Sequence, residues 1–307
     1  MILPEWSPQK ALLIAYPHED SDWVPYLHEA QDFFDEFIQI VSTFQEVWLI
    51  APEGFEKSFP NTRIFHIPTN DTWIRDYGPL SLADGSLLDF TFNGWGLKYP
   101  ANYDNRLNRR LFGTKKLGFV LEGGSIDSNG AGAILTTSSC LLEANRNPHL
   151  SKTQIENYLK KTLQAHTIHW LENTFMIGDD TDGHIDMFAR FVSEDTIAYI
   201  TCDDPKDPHY EGLKKMEEEL QELPYRLIPL PWASAKYFDG ARLPASYANF
   251  TIINGAVIVP TYKDPNDEAA LKTFKKLFPD RQIVGLDASV LIRQGGSIHC
   301  SSMNLFV

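Results

Sequence analysis

The sequence is poor in cysteine, and its few thiols are widely spaced. Cys140, Cys202 and Cys300 are the three cysteines among 307 residues, and they form no CxxC pair. Three thiols cannot pair completely, and structural zinc sites usually draw on closely spaced cysteines. We therefore expect reduced thiols in a cytoplasmic protein, without a disulfide framework or a structural zinc ion.

Long apolar runs and basic tracts are absent as well. No stretch of about 18 uncharged apolar residues occurs, and the opening MILPEWSPQKALLIAYP lacks the basic region, apolar run and cleavage site of a secretion signal. We expect neither a membrane span nor secretion by that route. The formal net charge of −14 argues against a nucleic-acid partner and favours a small cation.

No linker interrupts the chain. Pro-, Gly- and Ser-rich tracts are missing, and 43% of the residues are apolar, enough to bury a large core. We predict a single catalytic domain over residues 1–307. Hairpins, which often carry Asn or Asp before Gly, subdivide it. Four are predicted, at Asp84 and Gly85, Asn129 and Gly130, the looser turn at residues 193–196, and Asn254 and Gly255.

After each of the last three hairpins the sequence predicts a helix and then a short apolar strand. The helices are SKTQIENYLKKTLQAH, where Thr153 and Glu156 have capping-box spacing, HYEGLKKMEEELQEL and DPNDEAALKTFKKLF; the strands are TIHWL, YRLIPL and RQIVGL. A weaker helix at residues 104–112 and a strand ending at Glu122 follow the first hairpin. The chain begins with ALLIAY, a helix at residues 26–44 and EVWLIA, and it ends with SIHCSSMNLFV.

Pairing the two ends of the chain would complete a fifth unit. The predicted fold is therefore α/β, a pseudo-fivefold ring of hairpin, helix and strand units. Four segments between units carry reactive side chains: TWIRDYGP with Asp76, LEGGS with Glu122, DTDGHIDMF with His184, and GGSIHC with Cys300. They would share one mouth of the ring, where a thiol, an imidazole and carboxylates form a catalytic constellation.

The segment from Gly183 is interpreted as a strand on which His184 and Asp186 share one face. The alternating apolar residues that indicate this are Ile185, Met187, Ala189 and Phe191. A buried structural histidine beside a surface carboxylate is one alternative. A metal site is another, but no convincing third ligand is found, because His299 and Cys300 would face opposite sides of a strand. We expect no metal.

Small residues distinguish Cys300 from the other thiols, because Gly295 and Gly296 precede it and allow a substrate close to the backbone. Cys140 and Cys202 end apolar strands and are interpreted as small buried hydrophobes. For stacking on a planar cation at the mouth, Trp73 is favoured over Trp95, which is interpreted as a core residue.

Several long motifs, in the same order along the chain, resemble those of a known family. They include PEWSPQKALLIAYPH, NDTWIRDYGP, LEGGSIDSNGAGAILTTSSCLLEANRNP, DDTDGHIDMFARF, YANFTIINGAVIVPTY and GGSIHC, which span nearly the whole chain. The sequence is similar to the agmatine deiminases and bacterial peptidylarginine deiminases, guanidine-modifying enzymes with a five-bladed α/β propeller, or pentein, fold. The resemblance implies hydrolysis of agmatine to N-carbamoylputrescine, a step toward putrescine, and a possible homodimer.

The resemblance also implies roles for individual residues. Cys300 would be the nucleophile that carries a thiouronium intermediate, His184 the acid and base, Glu122 its partner, and Asp76 and Asp186 the clamps on the guanidinium. No cofactor is implied. Further substrate contacts are expected from Asp180, Trp73 and Gly124.

Four other functions remain open from the sequence. A peptidylarginine deiminase would use the same chemistry, but Asp180 and Asp182 near the mouth favour an amine tail. A free-arginine deiminase would need an Arg or Lys for the carboxylate, and none is identified. A metal hydrolase using His184 and Asp186, or a noncatalytic guanidinium-binding module, would not need Cys300.

Overall fold

Hairpin turns set the registers of the sheets. In the computed structural model, which describes residues 1–306, Gly85, Gly130 and Gly255 have φ values of 85°, 71° and 75°. Glycine adopts this left-handed region without steric cost, so each pair of Asp or Asn before Gly can reverse the chain tightly. All four predicted hairpins are present, the fourth with Ser193 opposite Thr196.

Eighteen strands occur in the described residues. In chain order they are β1 (Ala11–Ala15), β2 (Glu46–Ala51), β3 (Thr62–His66), β4 (Leu80–Ser81), β5 (Leu87–Thr91), β6 (Lys116–Val120), β7 (Ile126–Ser128), β8 (Ala133–Thr137), β9 (Thr167–Leu171), β10 (Ala189–Ser193), β11 (Thr196–Ile200), β12 (Arg226–Leu230), β13 (Lys236–Phe238), β14 (Ala241–Leu243), β15 (Thr251–Ile253), β16 (Ala256–Thr261), β17 (Gln282–Asp287) and β18 (Ser302–Leu305).

Eight α-helices accompany them, together with five short 3₁₀ helices. The α-helices are α1 (Leu27–Ser42), α2 (Ile74–Tyr77), α3 (Gly94–Leu97), α4 (Leu107–Phe112), α5 (Ser138–Leu141), α6 (Lys152–Leu163), α7 (Tyr210–Gln221) and α8 (Asp267–Leu277). The 3₁₀ helices are Val24–Tyr26, Asp104–Arg106, Gly123–Ser125, Ile185–Met187 and Leu291–Gln294. Among residues 1–306, no helix combines the length and the apolar character needed to cross a membrane.

Five sheets repeat one plan. In the sheets β4-β5-β6, β7-β8-β9, β10-β11-β12 and β15-β16-β17, an antiparallel hairpin is followed by a helix and by a third strand parallel to the second. The fifth sheet, β18-β1-β2-β3, joins the two ends of the chain, with Leu13 opposite Met303 in an antiparallel pair. This arrangement confirms the predicted five-bladed α/β propeller.

The core forms where amphipathic helices cover the sheets. The buried residues of α1 recur at helical spacing, while β8 and β11, the middle strands of their sheets, are buried throughout. Burying a Phe, Ile or Val side chain contributes about 1.5–3 kcal/mol. The buried apolar residues of α1 are Ala30, Phe33, Phe34, Phe37, Ile38 and Val41.

Three local predictions were wrong or incomplete. The capping box of α6 is formed by Ser151 and Gln154, not by Thr153 and Glu156, because the helix begins two residues earlier than those positions require. Strand β3 was missed because it is only half-buried and lacks a clear alternation. The hairpin β13–β14 was also missed, although its turn carries Asp239 before a glycine.

Candidate active site

Five segments that join neighbouring sheets bring their side chains together. Four are the segments predicted from the sequence, and the fifth lies between β14 and β15 and contributes Asn249. A Cβ atom built on Gly124 would lie 2.8 Å from His184 Nδ1 and 2.9 Å from both Asp186 Oδ2 and Asp76 Oδ1. Glycine is therefore required where three functional side chains converge on the backbone.

Cys300 lies in a turn that precedes β18, and its side chain is buried. The sulfur is 3.1 Å from Asn249 Nδ2 and 3.6 Å from Asp186 Oδ2. Burial, Asp186 and Asp76 raise the pKa of the Cys300 thiol well above its ordinary value. The thiol is thus neutral in the empty site.

Asp186 contacts both residues of the dipeptide His299–Cys300. Its Oδ2 lies 2.7 Å from His299 Nδ1, whereas its Oδ1 is buried and has no hydrogen-bond partner within residues 1–306. Burial alone would raise the pKa of Asp186, but the hydrogen bond from His299 and nearby positive charges hold it below its ordinary range. An ionised carboxylate with a free buried oxygen is suited to a cationic ligand.

The predicted strand at Gly183 is wrong. Residues Ile185–Met187 form a 3₁₀ helix, and β10 begins only at Ala189. The alternation of apolar residues was misleading because both His184 and Asp186 are themselves fully buried. The argument that His299 and Cys300 face opposite ways also fails, since these residues lie in a turn and both reach Asp186.

Asp76 lies on the short helix α2 and accepts hydrogen bonds from two donors on other segments. Its Oδ1 accepts from Gly124 N at 2.9 Å, and its Oδ2 accepts from Trp95 Nε1 at 2.9 Å. Trp95 has a left-handed backbone with φ of 54°, an uncommon conformation for a large residue. Trp95 therefore orients a site carboxylate, a function that its interpretation as a core residue missed.

His184 is fully buried, and its Nδ1 is 3.5 Å from Asp76 Oδ1. Neither ring nitrogen has a hydrogen-bond partner in the described part of the chain. Burial alone would lower the pKa of His184, but Asp76, Cys140 and Glu122 raise it well above its ordinary value. The imidazole is therefore available as a proton donor.

Glu122 is paired with an arginine that sequence reasoning did not single out. Arg146 Nε donates to both Glu122 oxygens, at 2.9 and 3.0 Å, and Arg146 is itself buried. Glu122 acts on His184 through its charge, because the imidazole nitrogens make no hydrogen bond within residues 1–306. Arg146 lies in ANRNP, the end of the motif that begins at Leu121, and that motif was the signal in the sequence that could have identified it.

Glu122, Cys140 and His184 place potential metal ligands within 4.8 Å of one another. Cys140 is buried on α5, after the end of β8, and burial raises the pKa of its thiol. Both oxygens of Glu122 already accept from Arg146 Nε. Glu122 is thus committed to an ion pair, beside the buried Cys140 thiol and the His184 imidazole.

A cavity of about 270 Å³ reaches Cys300 and Asp76. One wall is Trp73, whose Cζ3 would lie 2.4 Å from a Cβ on Gly296, so glycine lets the ring approach the backbone. Burial raises the pKa of Asp71, another lining residue, to about 7. The charged lining residues are Asp22, Asp71, Asp76, Asp180 and Arg293.

Asp180 and Asp182 differ in their availability. Asp180 lines the cavity and accepts from Tyr99 Oη at 2.5 Å, and burial raises its pKa. Asp182 is instead engaged by Lys98 and Arg146, each at 2.7 Å. Asp180 therefore lies at the cavity, whereas Asp182 is held in ion pairs.

Arg293 is a cation at the cavity that the sequence analysis did not identify. Its Nη2 lies 2.7 Å from Glu29 Oε2, and its guanidinium stacks 4.5 Å from the Phe238 ring centroid. The ion pair with Glu29 and the stacking on Phe238 both engage the positive charge of Arg293, which a carboxylate ligand would need for its own binding. The ionisable residues that line the cavity are still mostly acidic.

An acyl substrate would require donors for a developing oxyanion, whereas this thiol faces ionisable carboxylates. A planar cation fits that arrangement. This arrangement of a thiol and carboxylates, on a five-bladed α/β ring, defines the class of guanidine-modifying hydrolases.

The chain belongs to the Porphyromonas-type peptidyl-arginine deiminase family, whose model matches residues 1–305. It is 32% identical to the agmatine deiminase of Pseudomonas putida over 341 aligned residues, covering 96% of this chain and 92% of that protein. The resemblance stated from the motifs is thereby confirmed.

Solved structures agree with the sequence comparison. A serine-for-cysteine variant of C. jejuni agmatine deiminase with substrate bound is 48% identical, covers 100% of this chain and 96% of its own, and superposes with a TM-score of 0.96. A DDAH from Pseudomonas aeruginosa, at 13% identity and a TM-score of 0.58, covers 97% of this chain and 100% of its own and supports the fold alone. The pentein fold is thus shared with relatives far apart in sequence.

Proposed function

We propose that this deiminase hydrolyses agmatine to N-carbamoylputrescine and ammonia. The observation that carries the proposal is an acidic cavity lined by Cys300, Asp76 and Asp180, with the buried Asp186 carboxylate 3.6 Å from the sulfur. Agmatine carries a guanidinium at one end and an ammonium at the other, so it can engage both regions. The agmatine deiminases among the relatives support this choice.

In the proposed complex, Asp76 and Asp186 hold the guanidinium plane by paired N–H contacts. The unpartnered Oδ1 of Asp186 supplies an acceptor that no described protein group uses. Gly124, as a proposed substrate-binding residue, lets both carboxylates approach its backbone, and Trp73 lines the cavity along which the substrate would pack. The central carbon is then presented to sulfur.

Binding of the cation also activates the nucleophile. The guanidinium offsets the negative charges of Asp76 and Asp186, which raise the pKa of the Cys300 thiol in the free enzyme. The thiol then releases its proton to water, and sulfur attacks the guanidinium carbon, forming a C–S bond. The substrate thus helps to generate the thiolate that attacks it.

His184 moves the protons. It donates one to the leaving nitrogen, ammonia departs, and a thiouronium remains on Cys300. Neutral His184 then takes a proton from water as the hydroxyl adds to the carbon. The C–S bond breaks as the added hydroxyl gives up its proton to water, so the neutral ureido product leaves and the thiolate is restored. The Glu122 carboxylate, which Arg146 holds in place, raises the pKa of His184 and so favours the imidazolium.

These steps use side chains and water, without a metal or organic cofactor. We further propose that residues 1–307 form one catalytic domain in a cytoplasmic homodimer. One coincident unfolding transition by fluorescence and activity would support a single domain. Analytical ultracentrifugation would test the dimer, and a monomer at all concentrations would contradict it.

The main test measures ureido product from agmatine, arginine and a blocked arginine peptide, in the presence of a chelator. We expect agmatine to dominate, Cys300→Ala to be inactive and Cys202→Ala to retain activity. If the peptide were the preferred substrate, the assignment of agmatine would be wrong but the proposed chemistry would stand. An active Cys300→Ala would disprove the mechanism.

A second comparison tests the clamp. Asp186→Asn should lower kcat/KM for agmatine by about 10- to 100-fold, because a charge-assisted contact is lost. Asp203→Asn is the matched control, since the side chain of Asp203 is 91% exposed. Equal activity of both variants would remove Asp186 from the proposed clamp.

A further inference from the structure

Asn249 is the buried side chain that the fifth inter-sheet segment contributes to the site. It is fully buried and precedes β15. Its Nδ2 lies 3.1 Å from Cys300 Sγ, closer than the 3.6 Å between that sulfur and Asp186 Oδ2. The amide therefore touches the reacting atom directly.

The orientation of this amide is fixed by its surroundings. Its Oδ1 accepts from His299 N at 2.9 Å and from Cys300 N at 3.2 Å. Both neighbours are donors, so a flipped amide would set its NH₂ against two N–H groups. The donor end must therefore face the sulfur, with Met187 Sδ at 3.2 Å and Asp186 O at 3.5 Å nearby.

A donor at this position meets a specific need of the site. Burial and the two clamp carboxylates all disfavour the thiolate of Cys300. A bound guanidinium offsets the carboxylates while it is present, but it is consumed and released in each cycle. A fixed neutral donor stabilises sulfur anion both when it attacks and when it leaves the intermediate.

We propose that Asn249 is a catalytic residue that donates a hydrogen bond to the Cys300 thiolate throughout the reaction. The inference rests on the proposed deiminase function for its role in turnover. The hydrogen bond itself can be measured on the free enzyme. A wrong substrate assignment and a wrong role for Asn249 are therefore distinguishable.

The competing possibility is that Asn249 only anchors the turn before β18. Asn249→Asp keeps an oxygen for both backbone N–H groups but loses the donor and adds a charge. Asn249→Ala loses the donor without adding a charge. A hydrogen bond to the thiolate predicts the same direction of change in both variants, whereas an anchor alone does not.

The experiment follows the rate of Cys300 alkylation against pH, with product formation from agmatine measured in parallel. Both variants should raise the alkylation midpoint by about one to two pH units and lower kcat about 10- to 100-fold. Asn254→Asp is the matched control, because its amide also bridges two backbone groups, those of Gln9, at the far end of β15. It should titrate like the wild type.

A wild-type midpoint in either folded variant would overturn the proposal. A second measurement does not depend on how the variants fold. In the wild-type protein, the side-chain ¹H–¹⁵N resonances of Asn249 should move as Cys300 titrates. Resonances that stay fixed through that titration would also overturn it.

Discussion

At the scale of single residues, the active site has no spare room at Gly124. Its missing side chain would approach three functional atoms to within 2.9 Å, a distance that real Cβ contacts do not show. The backbone N–H of the same residue donates to Asp76. Gly124 therefore lets three functional side chains pack against its backbone and also orients a carboxylate.

Gly124→Ala should reduce kcat by about 100-fold, because displacement of Asp76, His184 or Asp186 spoils the reacting geometry. The control is Gly118→Ala on β6, where an added Cβ meets nothing within 4 Å. Turnover by both purified variants, with circular dichroism to verify folding, is the measurement. Comparable kcat values would show that the site tolerates the methyl group.

The pH dependence of Cys300 follows from its acidic surroundings. Its raised pKa leaves the thiol protonated near neutral pH, so the thiolate forms only as pH rises above the ordinary thiol range. A small guanidinium ion should lower that midpoint. Ultraviolet absorbance of the thiolate, after subtraction of Cys300→Ala, reports both titrations. Identical midpoints with and without guanidinium would rule out activation by the cation.

The reactive residues were accessible from sequence, but their supporting contacts were not. Cys300 and His184 stand out because thiols and imidazoles have distinctive chemistry. Asn249 lies in an apolar strand region, and nothing in its local pattern shows that it will meet a sulfur 51 positions away. Arg146 similarly reaches Glu122 across 24 positions. Such partners depend on how distant segments pack.

At the scale of secondary-structure elements, one-turn helices place the site. Asp76 lies on the four-residue α2, Gly124 on Gly123–Ser125, and Asp186 on Ile185–Met187. Elements this short carry too few residues for a helical period to emerge. The sequence consequently predicted the hairpins and long helices better than the turns that hold the chemistry.

The N-terminus of α6 distinguishes two capping assignments. Ser151→Ala should reduce the free energy of unfolding by about 1 kcal/mol, because its side chain accepts from Gln154 N. Thr153→Ala, within the helix, should change it by less than about 0.5 kcal/mol. Urea denaturation of both variants provides the comparison. A larger loss in the free energy of unfolding for Thr153→Ala than for Ser151→Ala would instead support the capping box predicted from Thr153 and Glu156.

At the scale of the whole molecule, one buried carboxylate ties distant segments together. Glu5 accepts from Arg75 Nη2 at 3.2 Å and from Thr251 Oγ1 at 3.1 Å, and it also pairs with Arg190. Burial alone would raise the pKa of Glu5, but Arg190, His299 and Arg75 lower it far below its ordinary value. The opening segment is thereby bound to three others.

Glu5→Gln should lower the free energy of unfolding by about 3–5 kcal/mol at neutral pH, because two buried guanidinium groups lose a charged partner. The depressed pKa means that this contribution is present above the unfolded carboxyl pKa and fades as pH falls below it. Denaturation at neutral and acidic pH measures the difference, with exposed Glu19→Gln as control. A constant difference across pH would contradict the assignment.

The ring itself was predictable because each unit repeats the same local signals. Asn129 and Asn254 before glycine marked hairpins, and the apolar run TIHWL marked the third strand of its unit at the observed bounds. Closure could be inferred because the chain's two ends held the parts missing from one unit. The half-buried β3 was not predictable, since it lacks a distinct apolar pattern.

The pairing of β1 with β18 also governs when activity can arise during synthesis. Strand β1 leaves the ribosome long before β18 and Cys300, because paired residues such as Leu13 and Met303 are 290 positions apart. The earlier sheets can form while translation continues. The nucleophile reaches its neighbours only after the last strand is released, so a nascent chain halted before that point carries a nearly complete scaffold without a catalyst.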